Sequence, residues 1–403
     1  MPKTERLYYT DCYLREFEAR VLRVESGPKG SRVYLDRTAF YPESGGQPAD
    51  HGTLGGLPLL EALDEGEEIA HLLERGPESD TVKGAIDWER RFDHMQQHTG
   101  QHVLSGAFEK TGGYKTVSFH LGAEASTIDL DSDRLGQRQM EEAEDLANQV
   151  VFENRSVRIF FRQAAEAGRL DLRKPTAREG DVRLVEIEDF DLSACGGTHV
   201  NRAGAIGLIA VRRHERMKGL TRVEFVCGKR ALRAARRDLA LLSEAARLFS
   251  AGMESVPELI AKQGQELREG ARAREKLAER LAELEALELW RAAPEKAGRK
   301  IIRQVFSAEG AAVAEMVAHA LAKQPSTVAL VGVKGSPAAL FFSQSPGGGA
   351  DMGKILKESV AKFGGKGGGP RDFAQGGGLN EESLEEALNL AEQLVTGGDV
   401  RAR

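Results

Sequence analysis

His98-Thr-Gly-Gln-His102 and Cys195-Gly-Gly-Thr-His199 are the segments whose residue types and spacing could do chemistry. Histidines at i and i+4 of a helix lie on one face, close enough to share one metal ion. Phe92 and Met95 mark an apolar side near that face, so the pair should look into the protein. In the second segment two glycines let the backbone bend until a thiolate and an imidazole converge. Together the segments offer one sulfur and three imidazoles, a set suited to Zn²⁺. His94 extends the helical series; it could replace His98 as a ligand, and is read as a residue behind the ligands or on the surface. Four protein ligands would close a structural site, whereas a catalytic zinc keeps an exchangeable position. From there it can lower the pKa of bound water or polarise a carbonyl. Residue 99 is Thr and no glutamate sits beside the ligands, so this is not the HExxH of zinc proteases. A peptidase is disfavoured, and a more reactive ester, which asks less of a base, fits better.

The elements that must position these groups divide the chain. Residues 1–86 alternate apolar and polar side chains between turn-rich stretches such as SGPKGS and PESGGQPADHG, which predicts a small β-barrel or sandwich. From Asp87 the period becomes helical through about Lys110. A strand hairpin, a helix over 138–154 and the strands SVRIFFR, DVRLVEIEDFDL, AIGLIAVRRHE and TRVEFVCG follow, making an α+β domain over 87–228. Residues 229–299 read as a helical linker of two antiparallel helices broken near Ser250–Gly252, with Ser255 and Glu258 spaced as a capping box. Residues 300–403 read as an α/β domain with one long glycine-rich loop, FGGKGGGPRDFAQGGG. The fold class expected is therefore α+β and multidomain.

Composition narrows the class further. The chain has 403 residues, 41% hydrophobic and 29% charged, as in a soluble globular protein of two or three domains. No apolar run approaches the length of a membrane span, and the N-terminus has no secretory apolar stretch, so a cytoplasmic location is expected. Three cysteines, Cys12, Cys195 and Cys227, argue against a disulfide framework. A net charge of −6 weighs against nucleic-acid binding without excluding it, because local basic patches matter more than the sum.

RRFDHMQQHTGQHVLSGAF and SACGGTHV resemble the two metal motifs of the alanyl-tRNA synthetase editing domain and its free-standing relatives, the AlaX family. TAFYPESGGQPADHGTL is similar to that family's N-terminal glycine-rich segment, GLTRVEFVCGKRAL to the strand closing the editing domain, and FGGKGGGPRDFAQGGG to the signature of the C-terminal DHHA1 domain. The resemblance implies a trans-editing hydrolase, a zinc-dependent aminoacyl-tRNA deacylase that removes serine, or glycine, from alanine tRNA. It implies His98, His102, Cys195 and His199 as Zn²⁺ ligands, with zinc-bound water reacting and no protein base assigned. It places Thr116 where a hydroxyl recognises serine, and Gly45, Gly46 and Gln47 in a segment approaching the active site. Their plain readings are a strand threonine and a hairpin turn. Lys362, Lys366 and Arg371 would contact tRNA phosphates from the C-terminal domain. A homodimer through the linker or C-terminal domain is left open. Gly100 departs from the family, which often has alanine there. No synthetase catalytic domain is expected before the barrel, so the chain should not charge tRNA; no DHH phosphoesterase motif is found. The rival is a non-catalytic RNA-binding protein with a structural zinc.

Overall fold

The computed structural model describes residues 3–28, 30–175, 179–296 and 298–397. The chain divides into two compact units, Met1–Arg247 and Leu248–Arg403. Among the described residues no helix is long and apolar enough to cross a membrane.

The first unit begins with a short strand, β1 (Glu5–Arg6), and the long β2 (Glu16–Gly27). Next come β3 (Gly30–Leu35), β4 (Arg37–Thr38), β5 (Gly52–Leu54), β6 (Leu57–Pro58), β7 (Glu61–Asp64), β8 (Ile69–Leu73) and β9 (Thr81–Ile86). Seven of these pair in the order β6-β5-β9-β2-β3-β8-β7. Among the described residues no hydrogen-bonded pairing joins the end strands β6 and β7 into the closed barrel expected. The sheet turns at β2, which pairs with β9 over Glu16–Arg20 and with β3 from Val21, across a bulge between Val21 and Arg23. A bulge bends and twists the strand that carries it. Alternate side chains, among them Val33, Leu35, Leu54 and Leu73, fill the core on one side of this sheet.

Helix α1 (Trp88–Gly112) follows, then the hairpin β10 (Thr116–Leu121) and β11 (Ser126–Leu130), and α2 (Gln137–Phe152). Next are β12 (Val157–Gln163), the single turn α3 (Ala164–Ala167), β13 (Asp181–Ile187) and β14 (Asp191–Ala194). The stretch DVRLVEIEDFDL, expected as one strand, is therefore a hairpin. Asp189 takes a φ of 52° in its turn, and β14 runs back along β13. Strands β15 (Ile209–Met217) and β16 (Leu220–Cys227) complete an antiparallel sheet of order β10-β11-β16-β15. Helices α1 and α2 share one apolar core with this sheet, including Met95, Leu104, Phe108, Val150 and Phe225. Helix α4 (Gly228–Leu248) leaves the sheet directly from β16.

In the second unit α5 (Val256–Ala292) has no capping box. A 3-10 turn over Met253–Ser255 runs into the helix, so Ser255 is already helical (φ −86°, ψ −11°) and cannot fold its hydroxyl back as a cap. The strands β17 (Glu295–Lys296), β18 (Arg299–Phe306), β19 (Thr327–Val333), β20 (Ala338–Gln344), β21 (Lys366–Gly368) and β22 (Phe373–Leu379) form a sheet of order β17-β18-β19-β20-β22-β21. Helix α6 (Ala311–Ala322) crosses between the parallel pair β18 and β19. Together with the end of α5 it covers one face, reached by Ala329 and Val331. Helices α7 (Met352–Ala361) and α8 (Leu384–Gly397) cover the other, reached by Val328 and Leu330. The expected glycine-rich loop is instead a hairpin: Lys366, Gly367 and Gly368 pair with Gly377, Gly376 and Gln375. Glycine serves close packing there, since a Cβ on Gly367 would lie 2.6 Å from the Gly376 Cα.

Candidate metal centre

Helix α1 is capped by Asp87, which accepts from the Arg90 N–H, and ends on Gly113 at a left-handed φ of 71°. Every residue from His94 to Phe108 is buried, so its polar side chains need partners inside the protein. Gln97 exchanges two hydrogen bonds with the backbone of Cys227, and Gln96 donates to the Ala205 carbonyl. His98 and His102 stand one turn apart in this segment. The second pair arrives from the turn after β14. Gly197 is required there by contact: a Cβ would sit 2.1 Å from Cε1 of His98.

One ligand atom from each of His98, His102, Cys195 and His199 lies within 4.8 Å of the others. The Cys195 Sγ is 3.3 Å from Nε2 of both His98 and His199. Donors bound at about 2.0–2.3 Å around a tetrahedral ion are separated by roughly this much. On the far side of each ring, Nδ1 has its own partner. For His98 it is Gln47 Oε1 at 2.7 Å, for His102 Asp191 Oδ2 at 3.1 Å, and for His199 Thr99 Oγ1 at 3.2 Å. An amide oxygen and a carboxylate can only accept, so His98 and His102 carry a proton on Nδ1 and turn Nε2 toward the cluster. The Gln47 amide is itself fixed, donating Nε2–H to Thr198 Oγ1 and accepting from the Thr198 N–H. Arg173 and Ser193 hold Asp191 in turn. This donor set can hold a metal ion.

Electrostatics favour a thiolate at Cys195. Burial pushes the Cys195 thiol up, but the charges of His98 and His199 and hydrogen bonds from His102 and His199 hold it well below its ordinary value. Burial lowers His102, yet its bonds to Asp191 and Cys195 raise it to about 9. Burial takes His199 down to about 3 against the pull of Cys195.

The other sequence-derived residues lie elsewhere. Gly45 and Gly46, at φ 57° and 84°, form the tight turn of a bridge between Ser44 and Gln47. Gly46 also packs on the Phe119 carbonyl, where a Cβ would be 2.7 Å away. Gln47 is fully buried behind His98. Thr116 donates to Ser105, which also accepts from Gln101 on α1. Lys362, Lys366 and Arg371 are exposed around the β21–β22 hairpin. His94 is neither a ligand nor on the surface: it is 3% exposed and outside the cluster. Cys12 and Cys227 are buried apart from the donor set. A Cβ on Gly100 would lie 2.3 Å from Cys227 Sγ, so that glycine makes room for a thiol. Asp191, Thr99 and Phe119, whose ring lies 5.3 Å from that of His98, are not singled out by the motifs. Asp191, Ser193 and Cys195 alternate at period two, a signal that could have found the first; Thr99 sits inside the motif itself.

Residues 298–397 match the DHHA1 domain, and residues 182–224 match the threonyl and alanyl tRNA synthetase second additional domain, which includes Cys195 and His199. The chain is 33% identical to alanine–tRNA ligase of Pyrococcus abyssi over 98% of its own length and 44% of that protein. It thus spans less than half of the ligases it matches. It is 31% identical to the alanyl-tRNA editing protein AlaX-L of Pyrococcus horikoshii over 96% of this chain and 97% of that one. With AlaX-M of Methanosarcina mazei it shares 39% identity over 52% of this chain and 90% of the relative.

Proposed function

The chain belongs to the AlaX family of alanyl-tRNA editing proteins, and from that premise we propose that it hydrolyses, in trans, the ester joining serine to alanine tRNA, with glycine as a second leaving amino acid. The observation that carries this reading is the buried set of one sulfur and three imidazoles, each imidazole held by a separate partner. His98, His102, Cys195 and His199 would hold Zn²⁺, which would supply Lewis acidity toward water or the ester carbonyl. Gln47, Asp191 and Thr99 keep the donor nitrogens aimed. Phe119 shields one side of His98 from water. Hydrolysis breaks the acyl C–O bond, water supplying hydroxyl to the acyl carbon and a proton to the tRNA oxygen. Thr116 would recognise the serine hydroxyl through the Ser105–Gln101 chain beside the ligand helix. A site that hydrogen-bonds the hydroxyl discriminates against alanine far better than an apolar pocket would. Lys362, Lys366 and Arg371 would grip tRNA phosphates, in a DHHA1 part that we take to begin near residue 300, after the linker over 229–299.

One observation favours the rival, an RNA-binding protein with a structural zinc: four protein donors fill a tetrahedral site. Deacylation of Ser-tRNA by the purified protein, with and without chelator, separates the two. The proposal expects about one zinc per chain and activity lost with it. A zinc-replete protein that leaves Ser-tRNA intact would favour the rival. Thr116→Val should lower kcat/KM on Ser-tRNA by about tenfold, the effect of one lost hydrogen bond. Unchanged kinetics would return Thr116 to a strand role.

A further inference from the structure

His94 poses a question that the metal centre does not answer. It lies on the same face of α1 as His98, one turn earlier, a rise of about 6 Å. It is 97% buried by the complement of its 3% exposure, yet its Nδ1 has no hydrogen-bond partner. Leaving a buried nitrogen unpartnered is costly, so a ligand that satisfies it gains affinity from it.

His94 lines a cavity of about 350 Å³ in the first unit. Pro48, just after the turn that holds His98, forms one wall, and Gly122 and Ala123 of the β10–β11 hairpin form another. The cations here differ in how they are engaged. Lys229 is paired with Glu89, and Arg230 is bound by both Asp93 oxygens and by the Gly122 carbonyl. Arg90 contacts only a carbonyl, Ala49, through Nε, and Arg233 is exposed with no anionic partner among the described residues. Three carboxylates also line the cavity: Glu89 and Asp93 are taken up by Lys229 and Arg230, and Asp87 accepts from the Arg90 N–H as the cap of α1. A buried neutral donor beside two cations with no carboxylate partner is a seat for an anion with several acceptor oxygens.

Resting on the editing reading above, we propose that this cavity seats the last internucleotide phosphate at the tRNA 3′ end, with Arg90 and Arg233 pairing its oxygens and His94 Nδ1–H donating to one. The placement follows from the substrate. The reacting ester is on the terminal ribose, so the next phosphate must lie within one nucleotide of the donor cluster. His94 stands one helical turn from it. Burial and the surrounding cations Arg90, Arg230 and Arg91, with His51, keep the His94 imidazole neutral, with its pKa lowered to about 3.

The test uses the full-length zinc-loaded protein and an uncharged RNA hairpin ending in CCA, made with either a normal or an uncharged methylphosphonate last linkage. Neutralising that linkage should weaken wild-type binding about tenfold or more, as expected for a charge-assisted contact. Arg233→Ala should weaken the normal RNA similarly and leave the methylphosphonate RNA unaffected. Arg233 is exposed and unpartnered, so the variant should fold as wild type does; His94→Asn gives a second cycle. Additive losses, or wild-type binding indifferent to the linkage, would overturn the assignment. Deacylation of Ser-tRNA is measured in parallel. Coupling without deacylation would keep the phosphate seat and remove the editing reading; deacylation without coupling would do the reverse.

Discussion

Gly100 shows how one atom can decide a residue type. It lies between the two ligand histidines on α1, where glycine costs about 0.5–1 kcal/mol of helix stability relative to alanine. Cys227 explains it, because its sulfur occupies the space an alanine methyl would take. Gly100→Ala alone should therefore destabilise by about 1–3 kcal/mol through overpacking, despite its better helix propensity. Removing the sulfur as well, in Gly100→Ala/Cys227→Ala, should recover most of that loss, because the remaining contacts, to Ile206 Cγ2 at 3.4 Å and the Cys227 Cβ at 3.5 Å, are ordinary. Denaturant unfolding of the two single variants and the double variant measures the coupling. Strictly additive effects would refute the steric account. The same scale shows what the sequence hides. Both ligand pairs are legible as motifs, but Gln47 lies 51 residues before His98 and no spacing ties them. Only the fold reveals that the turn residue carries an imidazole.

At the scale of elements, strongly periodic segments were legible and irregular ones were not. Helix α1 starts on Asp87, the residue from which the helical period is read, and ends at Gly112, close to the expected Lys110. The β13–β14 hairpin was read as one strand because its turn, Glu188–Phe190, contains no glycine or proline; the left-handed Asp189 makes the reversal. The glycine hairpin at the C-terminal edge was hidden for the opposite reason, since clustered glycines look like loop while serving close strand contact. The N-terminal sheet adds a prediction about acid. His71 on β8 is fully buried, donates Nδ1–H to the Val33 carbonyl and accepts from the Thr38 hydroxyl, and burial lowers its pKa to about 4. The unfolded chain, with histidine near its usual 6.5, binds the proton more readily. Stability contributed by neutral His71 is therefore full above about pH 6.5 and falls as pH drops toward 4, by on the order of 3 kcal/mol. His71→Gln should flatten that part of the stability–pH curve relative to wild type. Parallel curves would mean that another group, such as His94 or His199, sets the slope.

At the scale of the whole molecule, the first unit contains the donor cluster, the residues that hold it and their core, and it runs to Arg247 through most of α4. Arg230 near the start of α4 clasps Asp93 on α1, so a cut through this helix should fall after Arg247. A fragment ending there should fold and retain zinc. If Lys362, Lys366 and Arg371 grip tRNA, it should bind full-length tRNA with a shallower salt dependence, because fewer phosphate contacts release fewer counterions. Equal binding of fragment and intact chain across a salt series would count against an RNA grip. The unit has a further property, which follows from the turn behind His98. Gln47 belongs to the segment joining the N-terminal strands, yet it finishes a ligand on a helix that begins only at Trp88. Arg91 repeats the stitch, its guanidinium fully buried against Asp50. The donor cluster is consequently not a portable module. Anyone grafting residues 87–228 onto another scaffold would transplant four ligands and leave one of them unsteered, whereas the exchangeable part is the strands and the helix taken together.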